Sequence, residues 1–206
     1  MNSNEFIATL VQRNRHWARV RTLQDPLYFE TLAQGQSPRV FWIGCADSRV
    51  DPGLITGAQP GEIFTLRNIA NLVSPYDTGM MAALHYAVEV LQVPEIAVCG
   101  HHGCGGVKAA LEPEIPFALR GWLAPLRDLA QSQQDELELF DGPERVNRLA
   151  ELNAHFQLEN LRRIPWVAQA ESSGRLKLSA LMYHLEQGEL AVLTPTDIQG
   201  ISTVAP

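Results

Sequence analysis

Apolar residues recur at helical spacing over residues 4–35, with Phe6, Leu10, Trp17 and Val20 on one side. The pattern breaks near Asp25-Pro26, and a short second helix runs through Phe29 and Leu32. Residues 1–35 therefore read as an N-terminal helical arm ahead of a core over 36–206, one domain overall. Val40–Gly44 is a compact apolar run ending at glycine, as expected of a buried strand, and Glu62–Leu66 repeats the pattern after the turn Gln59-Pro60-Gly61. Residues 78–91 return to helical spacing through Met81, Leu84, Ala87, Val88 and Leu91, and stop before Pro94. Glu95–Gly100 is a third strand. Further helices are expected up to Leu111, over 117–129 and over 143–164, with Pro143 in the first turn of the last. Residues 176–183 and 190–193 read as an antiparallel pair, and the last dozen residues carry no pattern.

Strand, helix, strand in this order implies parallel pairing with both sheet faces covered. The expected class is α/β, a mainly parallel sheet of about five strands flanked by helices. Such sheets bind ligands beyond the carboxyl ends of their strands. Two motifs fall at that edge: Cys45-Ala-Asp-Ser-Arg49 after the first strand and Gly100-His-His-Gly-Cys104-Gly105 after the third. His101-x-x-Cys104 lets two ligands close on one ion from a single turn, and the sheet brings in Cys45. Two thiolates and an imidazole suit one zinc with its fourth position open. Cys99 lies inside its strand and reads as a packed, inert thiol, while His102 points away from its neighbour. Asp47 and Arg49 are either a weak capping pair or a functional one, in which Arg49 holds Asp47 where it accepts a hydrogen bond from metal-bound water. Asp47 could also take the fourth metal position itself.

Composition narrows the partners. The 206 residues carry a formal net charge of -7, which argues against nucleic acid, whose phosphates call for a basic face. No run of eighteen apolar residues suggests a membrane span, and the first residues lack the basic start and apolar core of a secretory signal. Three cysteines without a disulfide framework fit a reducing compartment, most simply the cytoplasm. Other motifs fail: Cys45-x3-Arg49 is too short for a Cys-x5-Arg phosphatase loop, Gly103–Gly106 lacks the Lys-Ser/Thr of a P-loop, and no Gly-x-Ser-x-Gly elbow occurs.

Four blocks in order, Phe41–Val50, Pro60–Phe64, Arg67–Asn71 and Cys99–Val107, closely resemble the β-class carbonic anhydrases. The similarity is strong over residues 1–112 and fainter to about 194. The resemblance implies one Zn2+ per subunit on Cys45, His101 and Cys104, with Asp47 and Arg49 as a gating dyad. The implied reaction is reversible hydration of carbon dioxide to bicarbonate and a proton by zinc-bound hydroxide. It also implies a homodimer at least, possibly a homotetramer, with the helical arm embracing the partner subunit. Gln36 matches a glutamine that hydrogen-bonds substrate or product across the dimer interface. Phe64, Ile69 and Tyr86 match apolar positions lining the carbon dioxide pocket; read alone, they could equally be core packing. Trp42, Arg67 and Tyr183 match a non-catalytic bicarbonate site of the allosteric type II enzymes, in which bicarbonate favours a closed state with Asp47 on the metal. Read alone, Trp42 and Tyr183 could be core aromatics.

The chain departs from the type II pattern at Asp51-Pro52, where many members have proline directly after valine, and at Ala180–Met182, where a Gly-Trp pair is usual. Two other functions share these residues. One is hydrolysis of carbon disulfide or carbonyl sulfide at the same metal; the other is a non-catalytic zinc- or bicarbonate-binding regulator. The dyad beside the metal favours catalysis over the regulator.

Overall fold

A computed structural model describes residues 3–194; the unpatterned tail expected after them lies outside the described residues. The chain divides into two units, Met1–Ser37 and Pro38–Pro206. The first holds α1 (Ser3–Gln24) and α2 (Tyr28–Ala33). Trp17, Tyr28 and Phe29 meet there edge to face, their ring centroids 5.0–6.4 Å apart, and Arg21 lies over the first two rings. Phe6, Ile7, Leu10 and Val11 of α1 are exposed.

The second unit is an α/β sandwich. Its elements run β1 (Val40–Cys45), α3 (Pro52–Thr56), β2 (Ile63–Asn68), α4 (Thr78–His85), β3 (Glu95–His101), α5 (Gly105–Leu111), α6 (Phe117–Ser132), α7 (Gln134–Leu137), α8 (Gly142–Arg162), α9 (Pro165–Ser172), β4 (Lys177–His184) and β5 (Glu189–Leu193). The five strands order β2-β1-β3-β4-β5. The first four are parallel and β5 is antiparallel to β4. The helix expected over 78–91 is not uniform: after His85 the chain widens into a π turn, Tyr86–Val90, closed by Leu91 N–H on the Tyr86 carbonyl at 2.8 Å. The widened turn hands its Val88 carbonyl to the Arg175 guanidinium at 2.8 Å.

Period-two alternation sorts the central strands into two faces. Phe41 and Ile43 of β1 join Ile96 and Val98 of β3 in the larger core, packed against helix residues such as Leu149, Leu152 and Ala154. Burying each such Phe, Ile or Leu is worth about 1.5–3 kcal/mol, so this face dominates the stability. The other face carries a small cluster, Trp42, Ala97 and Cys99, with Ile55, Leu181 and Tyr183 packed on it. Gly100 is obligatory for the contact between α8 and β3: a Cβ there would stand 2.8 Å from the Met182 methyl and 3.2 Å from the Ala150 carbonyl oxygen. That close approach seats α8 directly behind the His101 loop. Among the described residues no helix is long and apolar enough to cross a membrane.

Candidate metal centre

Three side chains converge where β1 and β3 end. Cys45 closes β1, His101 closes β3, and Cys104 stands immediately before α5. All three are buried, and one ligand atom from each lies within 4.8 Å of the others; among the described residues they are the one such cluster of His, Cys, Asp and Glu. The Cys45 and Cys104 sulfurs are 3.8 Å apart, and neither cysteine is in a disulfide. Two sulfurs each about 2.3 Å from one zinc at the tetrahedral angle would stand roughly 3.8 Å apart. His101 Nδ1 lies 3.0 Å from the His102 carbonyl oxygen. A carbonyl only accepts, so the proton sits on Nδ1 and Nε2 keeps its lone pair. That Nε2 is buried without a hydrogen-bond partner. Donor type, spacing and the orphaned nitrogen all fit a tetrahedral metal.

Electrostatics separates the cysteines. The hydrogen bond from Cys104 holds the Cys45 thiol well below the usual range, and the same contact, with burial, pushes Cys104 up. Burial pushes Cys99 up to about 12, so it stays a protonated, inert thiol, its Sγ on the Gly100 carbonyl.

Asp47 stands at the rim. Its Oδ1 and Oδ2 accept from Arg49 Nε and Nη2 at 2.9 and 2.7 Å, and the Arg49 backbone N–H adds a third bond at 3.0 Å. The Arg49 side chain beside it holds the carboxyl well below the usual carboxylate range. Asp47 Oδ2 lies 3.9 Å from His101 Nε2, which sets the dyad directly over the metal cluster. Arg67, aligned with Gly44 across the sheet, braces this loop: its Nε donates to the Cys45 carbonyl at 2.8 Å and its Nη2 to the Asp47 carbonyl. Its remaining nitrogen faces Asp51 at 3.6 Å.

Phe64 and Tyr86 meet, ring centroids 5.9 Å apart, and Phe64 continues onto Phe41 at 5.5 Å. Ile69, just beyond β2, and Tyr86 are 41% and 44% exposed, more than core packing would leave. Trp42 and Tyr183 share the small-face cluster, and the indole lies so close over Gly44 that a Cβ there would be 2.5 Å from Nε1. Arg67 makes its hydrogen bonds to the loop carbonyls. Gln36 is an exposed residue of the N-terminal unit.

The supports of the His101 loop escaped sequence reading. Asn147 Oδ1 accepts from Gly103 N–H at 2.8 Å. Glu151 Oε1 holds His102 Nε2 at 3.1 Å, and Glu151 Oε2 accepts from Arg148, which also binds Glu136. Burial alone would raise the Glu151 carboxyl, but the bonds from His102 and Arg148 outweigh it and leave it below its ordinary value. The His102 ring also meets His184 edge to face at 4.4 Å. The available signal was Asn147 and Glu151 at i and i+4, polar positions one turn apart on a long helix.

Known proteins share this sequence and fold. The family profile described as Carbonic anhydrase matches residues 40–190. A carbonic anhydrase of Emericella nidulans is 40% identical over 194 residues, covering 93% of this chain and 85% of that protein. One from Pseudomonas aeruginosa is 39% identical over 172 residues, covering 80% and 77%. A tetrameric β-carbonic anhydrase of Sordaria macrospora superposes with a TM-score of 0.89 at 38% identity, covering 93% of this chain and 98% of that one. The Coccomyxa β-carbonic anhydrase, solved with acetazolamide, gives 0.86 at 33% identity, covering 91% and 86%. A parallel sheet whose strand ends converge on Cys45, His101 and Cys104, matched over this much of the chain, makes the protein a member of the β-carbonic anhydrase family.

Proposed function

We propose that this protein is a zinc-dependent carbonic anhydrase, interconverting carbon dioxide and water with bicarbonate and a proton. The observation that carries the reading is the orphaned, buried Nε2 of His101 beside two sulfurs at tetrahedral spacing. Cys45, His101 and Cys104 would hold the metal. A zinc ion there supplies Lewis acidity able to bring the pKa of water to about 7.

The surrounding residues do the positioning. An ionised carboxylate only accepts hydrogen bonds, and Arg49 keeps Asp47 ionised. Asp47 therefore takes an O–H of the attacking water and leaves an oxygen lone pair directed at carbon dioxide. Phe64, Ile69 and Tyr86 give the apolar substrate a wall that bicarbonate wets poorly. Gln36 would supply, across a dimer interface, a polar contact to substrate or product. The exposed apolar residues of α1 and the tetrameric Sordaria relative support self-association.

Regulation by bicarbonate follows the same logic. Arg67 braces the Asp47 loop through two carbonyls, and it shares a sheet face with Trp42 and Tyr183. An anion drawn to Arg67 competes for those donors and frees the loop. Stopped-flow hydration with zinc content measured on the same sample tests the function. One zinc per chain with a hydration rate that Asp47→Asn lowers is expected; a fully zinc-loaded but inactive wild type makes the protein a regulator instead. Added bicarbonate should lower the rate of wild type more than that of Arg67→Met.

A further inference from the structure

A cavity of about 480 Å3 lies beside the loop that leads into Cys104, walled by Leu111, Pro143 and Val146 with Lys108, Glu112 and Arg145 at its polar side. Its volume falls within the range of small-molecule sites. Most of its wall is apolar, and its polar groups come from α5, the residue that follows it and α8.

Arg148, three residues further along α8, is paired with Glu136 and Glu151. Arg162 and Arg175 are paired as well. The side chains of Lys108 and Arg145 have no ion pair or hydrogen bond among the described residues. An ammonium and a guanidinium that line a mostly apolar cavity can each give a charge-assisted hydrogen bond to a carboxylate. Glu112, the carboxylate that lines the cavity, forms an ion pair with neither cation.

We propose that this cavity binds an organic monoanion, a carboxylate with an apolar body. The carboxylate sits between Lys108 and Arg145, and the body lies on Leu111, Pro143 and Val146. Two cations and the single carboxylate of Glu112 leave a net charge of one positive at the site, which matches a monoanion and disfavours a dianion such as phosphate. The apolar wall excludes bicarbonate as the preferred occupant, because bicarbonate has no surface to bury there. The site is separate from the metal cluster and does not depend on the reaction proposed above.

The test is an NMR titration of the 15N-labelled, zinc-loaded protein with benzoate, with benzyl alcohol and inorganic phosphate as comparison probes. Benzoate should shift the amides of Gly103, Lys108 and Val146 saturably, and Arg145→Met should weaken binding by about tenfold or more. Benzyl alcohol and phosphate should bind more weakly than benzoate. Lys108→Met provides a second variant should Arg145→Met lower the melting temperature. The proposal is overturned if benzoate shifts only the Cys45–Arg49 loop, if neither variant weakens binding, or if phosphate binds more tightly than benzoate. Hydration activity measured on the same samples separates this result from the fate of the enzyme assignment.

Discussion

The two loops that build the candidate metal site are held by different physics. The loop after β3 is part of the helical layer: His101 and Cys104 are each 1% exposed, and Asn147, Glu151 and Arg148 of α8 tie its backbone and His102 in place. The loop after β1 begins with a buried Cys45 but carries its dyad to the rim, where the Asp47 and Arg49 side chains are 17% and 58% exposed. Arg49 holds its carboxylate and Arg67 its carbonyls through hydrogen bonds from charged donors. The His101–Cys104 side of the candidate metal site thus rests on burial and on ties to α8, whereas the position of the carboxylate rests on charged donors at the rim. The first arrangement should fail by losing metal or stability, and the second by losing rate alone.

Replacing a proposed ligand attacks the packed side most severely. Cys104→Ser should leave the protein with little zinc and lower hydration by on the order of 10^3-fold; full zinc occupancy by elemental analysis would remove Cys104 from the ligand set. Asp47→Asn probes the electrostatic side. It keeps an acceptor but adds a donor, and should cost about 10^2-fold in rate with zinc retained, so loss of zinc in this variant would erase the distinction between the loops. Arg67→Met leaves two loop carbonyls without their donor and should lower the rate by roughly tenfold. Here too the metal content is the decisive reading: retained zinc means that Arg67 acts through the Asp47 carbonyl, and lost zinc that it acts through the Cys45 carbonyl.

Smaller effects belong to the supports on α8. Glu151 has a lowered pKa in the folded protein, so its ionisation stabilises the fold above its unfolded value of about 4.3. That contribution disappears as pH falls through the lower, folded value. Thermal melts of Glu151→Gln should therefore fall below wild type at pH 7 and approach it in acid; a constant difference at all pH values would assign Glu151 a packing role. Asn147→Ala removes the acceptor of a solvent-accessible N–H and should cost about 1 kcal/mol, or roughly 2–4 °C in Tm, with kcat little changed.

Much of the architecture was legible because buried strands announce themselves. Val40–Gly44 and Glu95–Gly100 are apolar on both faces, which only a central parallel strand requires, and both lie in the middle of the sheet. Shorter helices were harder. α3 has an Asp51 N-cap, Pro52 in its first turn and a left-handed Gly57 after it, but five residues show no period. α9 begins at Pro165, which reads equally well as the end of the preceding helix. The π turn at Tyr86 preserves the apolar spacing of a regular helix, so periodicity could not distinguish the two. The same limit applies at the site: Cys45, His101, Cys104, Asp47 and Arg49 lie in two short motifs, while Asn147 and Glu151 reach the loop from a helix that begins some forty residues later.

Residue chemistry and strand order are local properties, and from the sequence alone they determined the α/β class, the sheet edge where chemistry gathers and the identity of the thiolate–imidazole set. Tertiary structure decided everything that depends on distances between remote segments. It set the sulfurs 3.8 Å apart, left His101 Nε2 buried and unpartnered, and drew Arg67 from a neighbouring strand onto the carbonyls of Cys45 and Asp47. It also left Lys108 and Arg145 unpaired beside an apolar wall. A motif can specify which atoms are available to react; whether a proton, a metal or a ligand satisfies them depends on what the rest of the chain brings within hydrogen-bonding distance.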